Sequence, residues 1–223
     1  QIPSKEYSNI IKNALESPDY MIRLLNDNRD KIGGTAYEKS MKAALELKTL
    51  FKVSDKMLST ISYLFEKMEE ITPLALQKIL YFVQSIYIFR YERPLFEENC
   101  IAWVHGPVYE SVYNLFKSFR YNPIDDDRFS ILKNRFNELY NEEKNVIDDV
   151  IETFGRYSGK VLEQITHLET PWLKARKGYD INELSAEEIP IEDIKEYFTS
   201  ISYKFDLKSK KGLLEYIDAQ LKK

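Results

Sequence analysis

Apolar residues recur along most of this chain at spacings of three and four, the period of one helical face. Ser4 precedes a segment that sets Ile10, Ile11, Ala14 and Leu15 on one side. Ser17-Pro18 supplies a cap and then a proline at the first helical position, which predicts a helix over Asp19 to Lys31, closed by Gly33-Gly34. Thr35 with Glu38 three residues later has the spacing of a capping box and predicts a helix running to about Lys52. Ser54-Asp55 caps a further one, Met57 to Met68. Thr72-Pro73 then opens the most apolar helix of the chain, ending near Tyr91. Leu76, Ile79, Leu80, Val83, Tyr87 and other apolar residues cover most of its circumference, which places it at the centre of the fold.

Downstream, Ile101 to Val104 is short, bulky and apolar, the pattern of a strand. Gly106-Pro107 breaks it and is expected to start a helix with Val108, Val112, Leu115, Phe116 and Phe119 inward. Pro123 to Arg128 reads as an acidic loop. Asn141-Glu142-Glu143 places acids in the first turn of a helix through Phe154, and Ser158 caps another through Leu168. Thr170-Pro171 opens a short helix, and Ile191 to Ile201 and Gly212 to Lys223 give two more. The fold expected is mainly α, a multi-helix domain around the central helix 72–91, with at most one short β-hairpin. Aromatic content rises after Glu69 to Thr72, so the chain is expected to divide into a helical N-terminal region, 1–70, a main domain, 71–203, and a helical tail, 204–223.

Composition narrows the function more than the fold. Gly numbers 7 and Pro 8, too few for the tight turns of an all-β domain. Acidic residues outnumber basic ones, 36 to 32, so the chain as a whole is not drawn to nucleic acid or anionic lipid. Lys208, Lys210 and Lys211 read better as a solvated stretch than as a nucleic-acid patch. Cys100 is the single cysteine, so no internal disulfide forms. The longest apolar run, Ile79 to Val83, is far short of a bilayer span. With no leader pattern at its start, the chain is expected to be cytoplasmic. It begins at Gln1 and not Met, as a fragment of a longer protein would.

Candidate chemistry is sparse. His105 and His167 are the only histidines; either has the near-neutral pKa of a general base, but both read better as structural hydrogen-bonding groups beside turns. Two His and one Cys, without paired spacing, do not make a zinc site. Asp125-Asp126-Asp127 lacks the glycine and closing glutamate of a calcium loop. No phosphate-binding glycine loop or nucleophile elbow occurs. No cofactor, metal or enzymatic activity is therefore expected. The 16 Tyr, 12 Phe and 2 Trp suit a core and a protein interface equally.

Three ordered blocks carry a resemblance. The first, P-L-x-L-Q-K-[LI]-L-Y-[YF]-x-Q, is matched by Pro73, Leu74, Leu76, Gln77, Lys78, Ile79, Leu80, Tyr81, Phe82 and Gln84. The second, R-P-L-F and then A-W-x-x-G-P-V, is matched by Arg93 to Phe96, Ala102, Trp103, Gly106, Pro107 and Val108. In the third, T-H precedes P-W-x-x-A-R, as at Thr166, His167, Pro171, Trp172, Ala175 and Arg176, with the short gap Leu168-Glu169-Thr170 between. A closing I-x-x-E-x-I-K-x-Y-[FY] is matched in part by Ile189, Glu192, Ile194, Lys195, Tyr197 and Phe198. Together they resemble the Panacea antitoxin domain, also described as SocA-like or phage-associated GepA-like.

That resemblance implies a non-enzymatic, cytoplasmic partner of a cognate protein toxin, which it blocks directly or delivers to a protease. Longer members carry an N-terminal helix-turn-helix, so DNA would be bound only through a domain missing here, and the alternative role is the effector or dimerisation part of a transcriptional regulator. An oligomer is compatible with either role. Tyr81, Trp103, His105, Tyr109 and Trp172, the motif aromatics and histidine nearest the expected turns, are expected to contact the toxin from exposed positions. Gln77, Gln84, Gly106, Pro107, His167 and Pro171 are expected to be structural. Gln77, Tyr81 and Gln84 share one helical face, where buried polar groups need partners. Gly106-Pro107 is expected to turn Trp103 toward it.

Overall fold

The computed structural model describes residues 17–126 and 138–223, with Asn9, Asn13 and Phe129 besides. The expected first helix around Ile10, Ile11, Ala14 and Leu15 lies outside the described residues, as does Asp127 of the acidic run. The chain divides into two compact units, Gln1–Val53 and Ser54–Lys223. Among the described residues run ten α-helices and one two-stranded antiparallel hairpin, as the pattern of apolar spacing predicts.

The first unit holds α1 (Pro18–Asp27), a 3₁₀ turn at Arg29–Lys31, and α2 (Gly34–Leu50). Ser17 caps α1 through the Tyr20 amide. The capping box expected at Thr35 does not form: α2 begins two residues earlier, with Gly33 at its N-cap, so Thr35 falls inside the first turn. Tyr37 donates to Asn26 at 2.8 Å, and Lys48 pairs with Asp19 at 2.6 Å.

In the second unit α3 (Asp55–Lys67) is capped by Ser54, and α4 (Pro73–Tyr91) by Thr72. Every residue of α4 from Ala75 to Ile88 is buried. A helix buried all round needs neighbours all round. It has them in α5 (Glu110–Phe116), α6 (Asn141–Phe154), α7 (Gly159–His167), α9 (Ile191–Ser202) and the hairpin. Phe82 of α4 stacks on Phe154 of α6 at 4.1 Å between ring centres. Gly159 lets α7 begin against the first turn of α4, since a Cβ there would stand 2.7 Å from the Ala75 nitrogen. Between α7 and α9 lies the short α8 (Thr170–Ala175). The tail helix α10 (Lys210–Leu221) packs on α6 and α7, with Leu213, Tyr216 and Ile217 fully buried. Lys210 of that tail pairs with Glu152 at 2.5 Å. No described helix is long and apolar enough to cross a membrane.

The hairpin pairs β1 (Ile101–Trp103) with β2 (Gly106–Val108) in the register Ile101 to Val108 and Trp103 to Gly106. Gly106-Pro107 was expected to start a helix. It forms the second strand instead, and α5 begins only at Glu110, because Gly106 takes a left-handed φ of 91° that folds the chain back on β1. Segment 187–189 lies along the other edge of β1, through Ala102 N–H to the Glu187 carbonyl at 2.8 Å and Ile189 N–H to the Cys100 carbonyl at 2.7 Å.

The polar residues of α4 tie these pieces to it. Gln84 accepts from the Leu95 amide at 2.8 Å and donates to the Phe96 carbonyl at 2.7 Å. Gln77 accepts from the Tyr109 amide at 2.7 Å and donates to its carbonyl at 3.3 Å. Replacing Gln84 by Leu strands buried backbone groups at both Leu95 and Phe96. Urea unfolding should show a loss of about 2–4 kcal/mol for Gln84→Leu, against less than about 0.5 kcal/mol for the exposed Gln164→Leu.

Candidate functional site

The motif residues converge where the hairpin lies over α4 and α7. Lys78, wholly buried on α4, donates to the Pro107 carbonyl at 2.8 Å. Gly106 sits directly above it: a Cβ there would come within 2.7 Å of the Thr166 hydroxyl and 2.9 Å of the Lys78 side chain. Burial brings the Lys78 amine down to about 7, with Cys100 and Glu163 partly offsetting that effect. Glu163 of α7 accepts from Lys160 at 2.7 Å and meets the His105 ring at 3.3 Å. Burial alone would raise its carboxyl; the bonds from Lys160 and His105 outweigh burial and hold it below the ordinary value.

His167 stacks on Trp172 at 4.1 Å, and one of its ring nitrogens meets the Val104 backbone. Its Nε2 is buried without a hydrogen-bond partner, and burial lowers the pKa of the ring. Trp172 donates to the Trp103 carbonyl at 2.9 Å. Arg176 is also buried and donates to the carbonyls of Ala102, Asp180 and Glu183, at 3.1, 2.9 and 2.7 Å, so it holds the connection after α8 against the hairpin.

A second polar centre lies beneath α8. Glu169 is fully buried, and each of its carboxyl oxygens is bonded to a tyrosine hydroxyl, Tyr81 of α4 at 2.7 Å and Tyr216 of α10 by a shorter contact. Tyr197 of α9 meets the Tyr216 hydroxyl at 3.2 Å. Burial raises the Glu169 carboxyl to about 8, against the opposing pull of the two tyrosines. One carboxyl thus gathers three helices.

The five residues expected at a toxin interface are therefore not alike. Tyr81 and Tyr109 are 0% and 1% exposed and Trp172 only 6%, so the expectation that they are exposed is corrected. The Tyr81 hydroxyl and the Trp172 indole bond groups of the interior, and all three rings fill it. Trp103 is half-buried, edge-on against Tyr113 of α5 at 4.9 Å. The His105 side chain is 73% exposed at the hairpin tip. Gln77, Gln84, Gly106 and Pro171 all sit in the interior, and Pro107 contributes the carbonyl that meets Lys78. Glu163, Glu169 and the clamping role of Arg176 escape a reading of the sequence. Lys78 carries a visible signal, a lone charge among the apolar residues of α4; Glu169, in a break between helices, carries none.

The model of the antitoxin SocA-like, Panacea domain family matches residues 76–173, and that segment of the chain is a domain of this family. No curated protein and no solved structure matches the chain.

Lys78 and Glu169 both make stability depend on pH. The Glu169 carboxyl binds its proton more tightly folded, at about 8, than at its ordinary 4.5. Its contribution is full below 4.5 and is lost as pH rises through about 8. Lys78 works in the other direction: held near 7 against an ordinary 10.5, it favours the fold progressively as pH rises between those values. In chemical denaturation across this range, Glu169→Gln should remove the falling component between pH 5 and 8. Lys78→Met should remove the rise above pH 7. Gly106→Ala, which needs both a strained φ and a displaced Lys78 or Thr166, should cost at least about 2 kcal/mol at any pH.

Proposed function

We propose that this domain neutralises a protein toxin by direct binding through the exposed end of the hairpin, with His105 and Trp103 at the centre and Tyr113 and Leu168 beside them. The observation that carries this reading is a contrast in exposure within the Panacea segment. Most of its motif side chains are buried, with Gln77, Lys78, Tyr81 and Gln84 hydrogen-bonded inside, whereas His105, Tyr113 and Leu168 stand 73%, 38% and 42% exposed. Aromatic and aliphatic groups exposed on a rigid support fit a protein-binding surface better than a reaction centre, because they offer contact area at little conformational cost. The domain is non-enzymatic on this reading and needs no cofactor. It includes α9, which packs on α4 beyond the matched segment.

The polar interior under the tip then acts as support. Glu163 orients His105, and the Trp172 indole fixes the backbone of Trp103. A partner reaching this face touches the tip residues and not Tyr81, Tyr109 or the Trp172 ring.

The test is co-expression with the product of the neighbouring gene, scoring growth and co-purification. Trp103→Ala and His105→Ala should each weaken complex formation about thirtyfold and abolish rescue, with unfolding midpoints close to the parent. Tyr81→Phe, which keeps the ring and removes only an internal hydroxyl, should still rescue. Stable complexes with the tip variants would overturn the assignment of this face. Toxin that disappears only when a cellular protease is present would replace blocking by delivery. A harmless neighbour would favour the effector part of a transcriptional regulator.

A further inference from the structure

At the open end of the hairpin, away from the tip, the approach of segment 187–189 to β1 leaves a cavity of about 250 Å³. Its apolar wall comes from Ile189, Pro190, Ile191 and Ile194, where the chain enters α9. Its polar lining includes Glu98 and Tyr109, and each has a buried side-chain oxygen with no hydrogen-bond partner. One Glu98 oxygen is satisfied by the Ser54 amide at 2.8 Å; the other, Oε2, has nothing. The Tyr109 hydroxyl lies beside the Cys100 thiol, a weak acceptor, and finds no oxygen or nitrogen partner although the residue is 1% exposed. Buried oxygens left in this way cost free energy unless something meets them.

The charge around the cavity is one-sided. Glu98, Glu188 and Glu192 line it, and no Lys or Arg does. Asn99 already bonds Glu188 at 2.7 Å. Lys78, the base whose charge Cys100 senses, is held by the Pro107 carbonyl. The N-terminus of α9 adds only about half a positive charge, and Glu192 and Asp193 in its first turn offset that. The Cys100 thiol, pushed up to about 12 by burial, stays neutral.

We infer that this cavity is a socket for an alkylammonium or alkylguanidinium group, its stem against the isoleucines and its charged head at Glu98 Oε2 and the Tyr109 hydroxyl oxygen. A lysine or arginine side chain of a protein, or a free amine of similar length, presents that chemistry. The inference stands apart from the toxin-binding face, so either can fail without the other.

The ¹⁵N-labelled full chain would be titrated with n-butylguanidinium chloride, with n-butanol and sodium butyrate as controls. The amides of Asn99, Cys100, Tyr109 and Glu192 should shift saturably with the cation alone. Glu98→Gln should weaken binding about tenfold, as expected for loss of a charge-assisted hydrogen bond. Tyr109→Phe should weaken it by a smaller factor. Should Glu98→Gln disturb the fold, the exposed Glu192→Gln replaces it, with a severalfold loss expected. A capped Gly-Arg-Gly peptide distinguishes the sources: competition favours a protein side chain, and binding of the free cation alone favours a small amine. Equal shifts with butanol, preferential binding of butyrate, or unchanged affinity in Glu98→Gln with its spectrum intact would overturn the inference.

Discussion

A helix buried on every side has no wet face for a polar side chain, so a polar group on α4 depends on the protein for a partner, and only the Ser85 hydroxyl of its buried stretch is left without one. Gln77, Lys78, Tyr81 and Gln84 stand in four successive positions of need, and each reaches a different part of the chain. Gln84 holds the turn at Leu95-Phe96, Gln77 the start of α5, Lys78 the second strand, and Tyr81 the break between α7 and α8. The net worth of each bond is modest, about 1 kcal/mol. Breaking one costs more, since the orphaned group stays buried. The arrangement therefore specifies where loops go more than it adds to stability.

Two of the buried ionisable groups extend the same logic. Lys78 and Glu169 are each shifted by burial toward the neutral form, the amine down and the carboxyl up. A neutral carboxyl between Tyr81 and Tyr216 is a hydrogen-bonding hub that fastens the C-terminal helix to the centre. The tail is thus part of the core of its unit, with Leu213 and Ile217 sealing it.

This construction separates support from surface. The motif that marks the Panacea segment is mostly its internal wiring, and the groups it leaves in solvent at the hairpin tip are few. A scaffold whose hydrogen-bonded framework is internal can carry different exposed side chains without rebuilding its interior. The cavity at the hairpin's other end is the opposite case, with interior oxygens lacking partners.

The apolar period along the chain was enough to place α4 at the centre, since Leu74, Phe82 and Ile88 stand on other sides of the helix from Leu76, Ile79, Leu80, Val83 and Tyr87. Caps at Ser54, Thr72 and Ser158 were legible because an N-cap is a local hydrogen bond between neighbours in sequence. The need of Gln77 and Gln84 for loop partners also followed from their place on an apolar helix. The second strand at Gly106-Pro107 did not, because a strand of three residues exists only through its partner. Nor did the burial of Tyr109 and Trp172, or the role of Glu169. Local spacing fixes which residues form a helix and which face is apolar; what a tyrosine or carboxyl meets depends on residues 30 to 90 positions away, and only the packed chain brings those together.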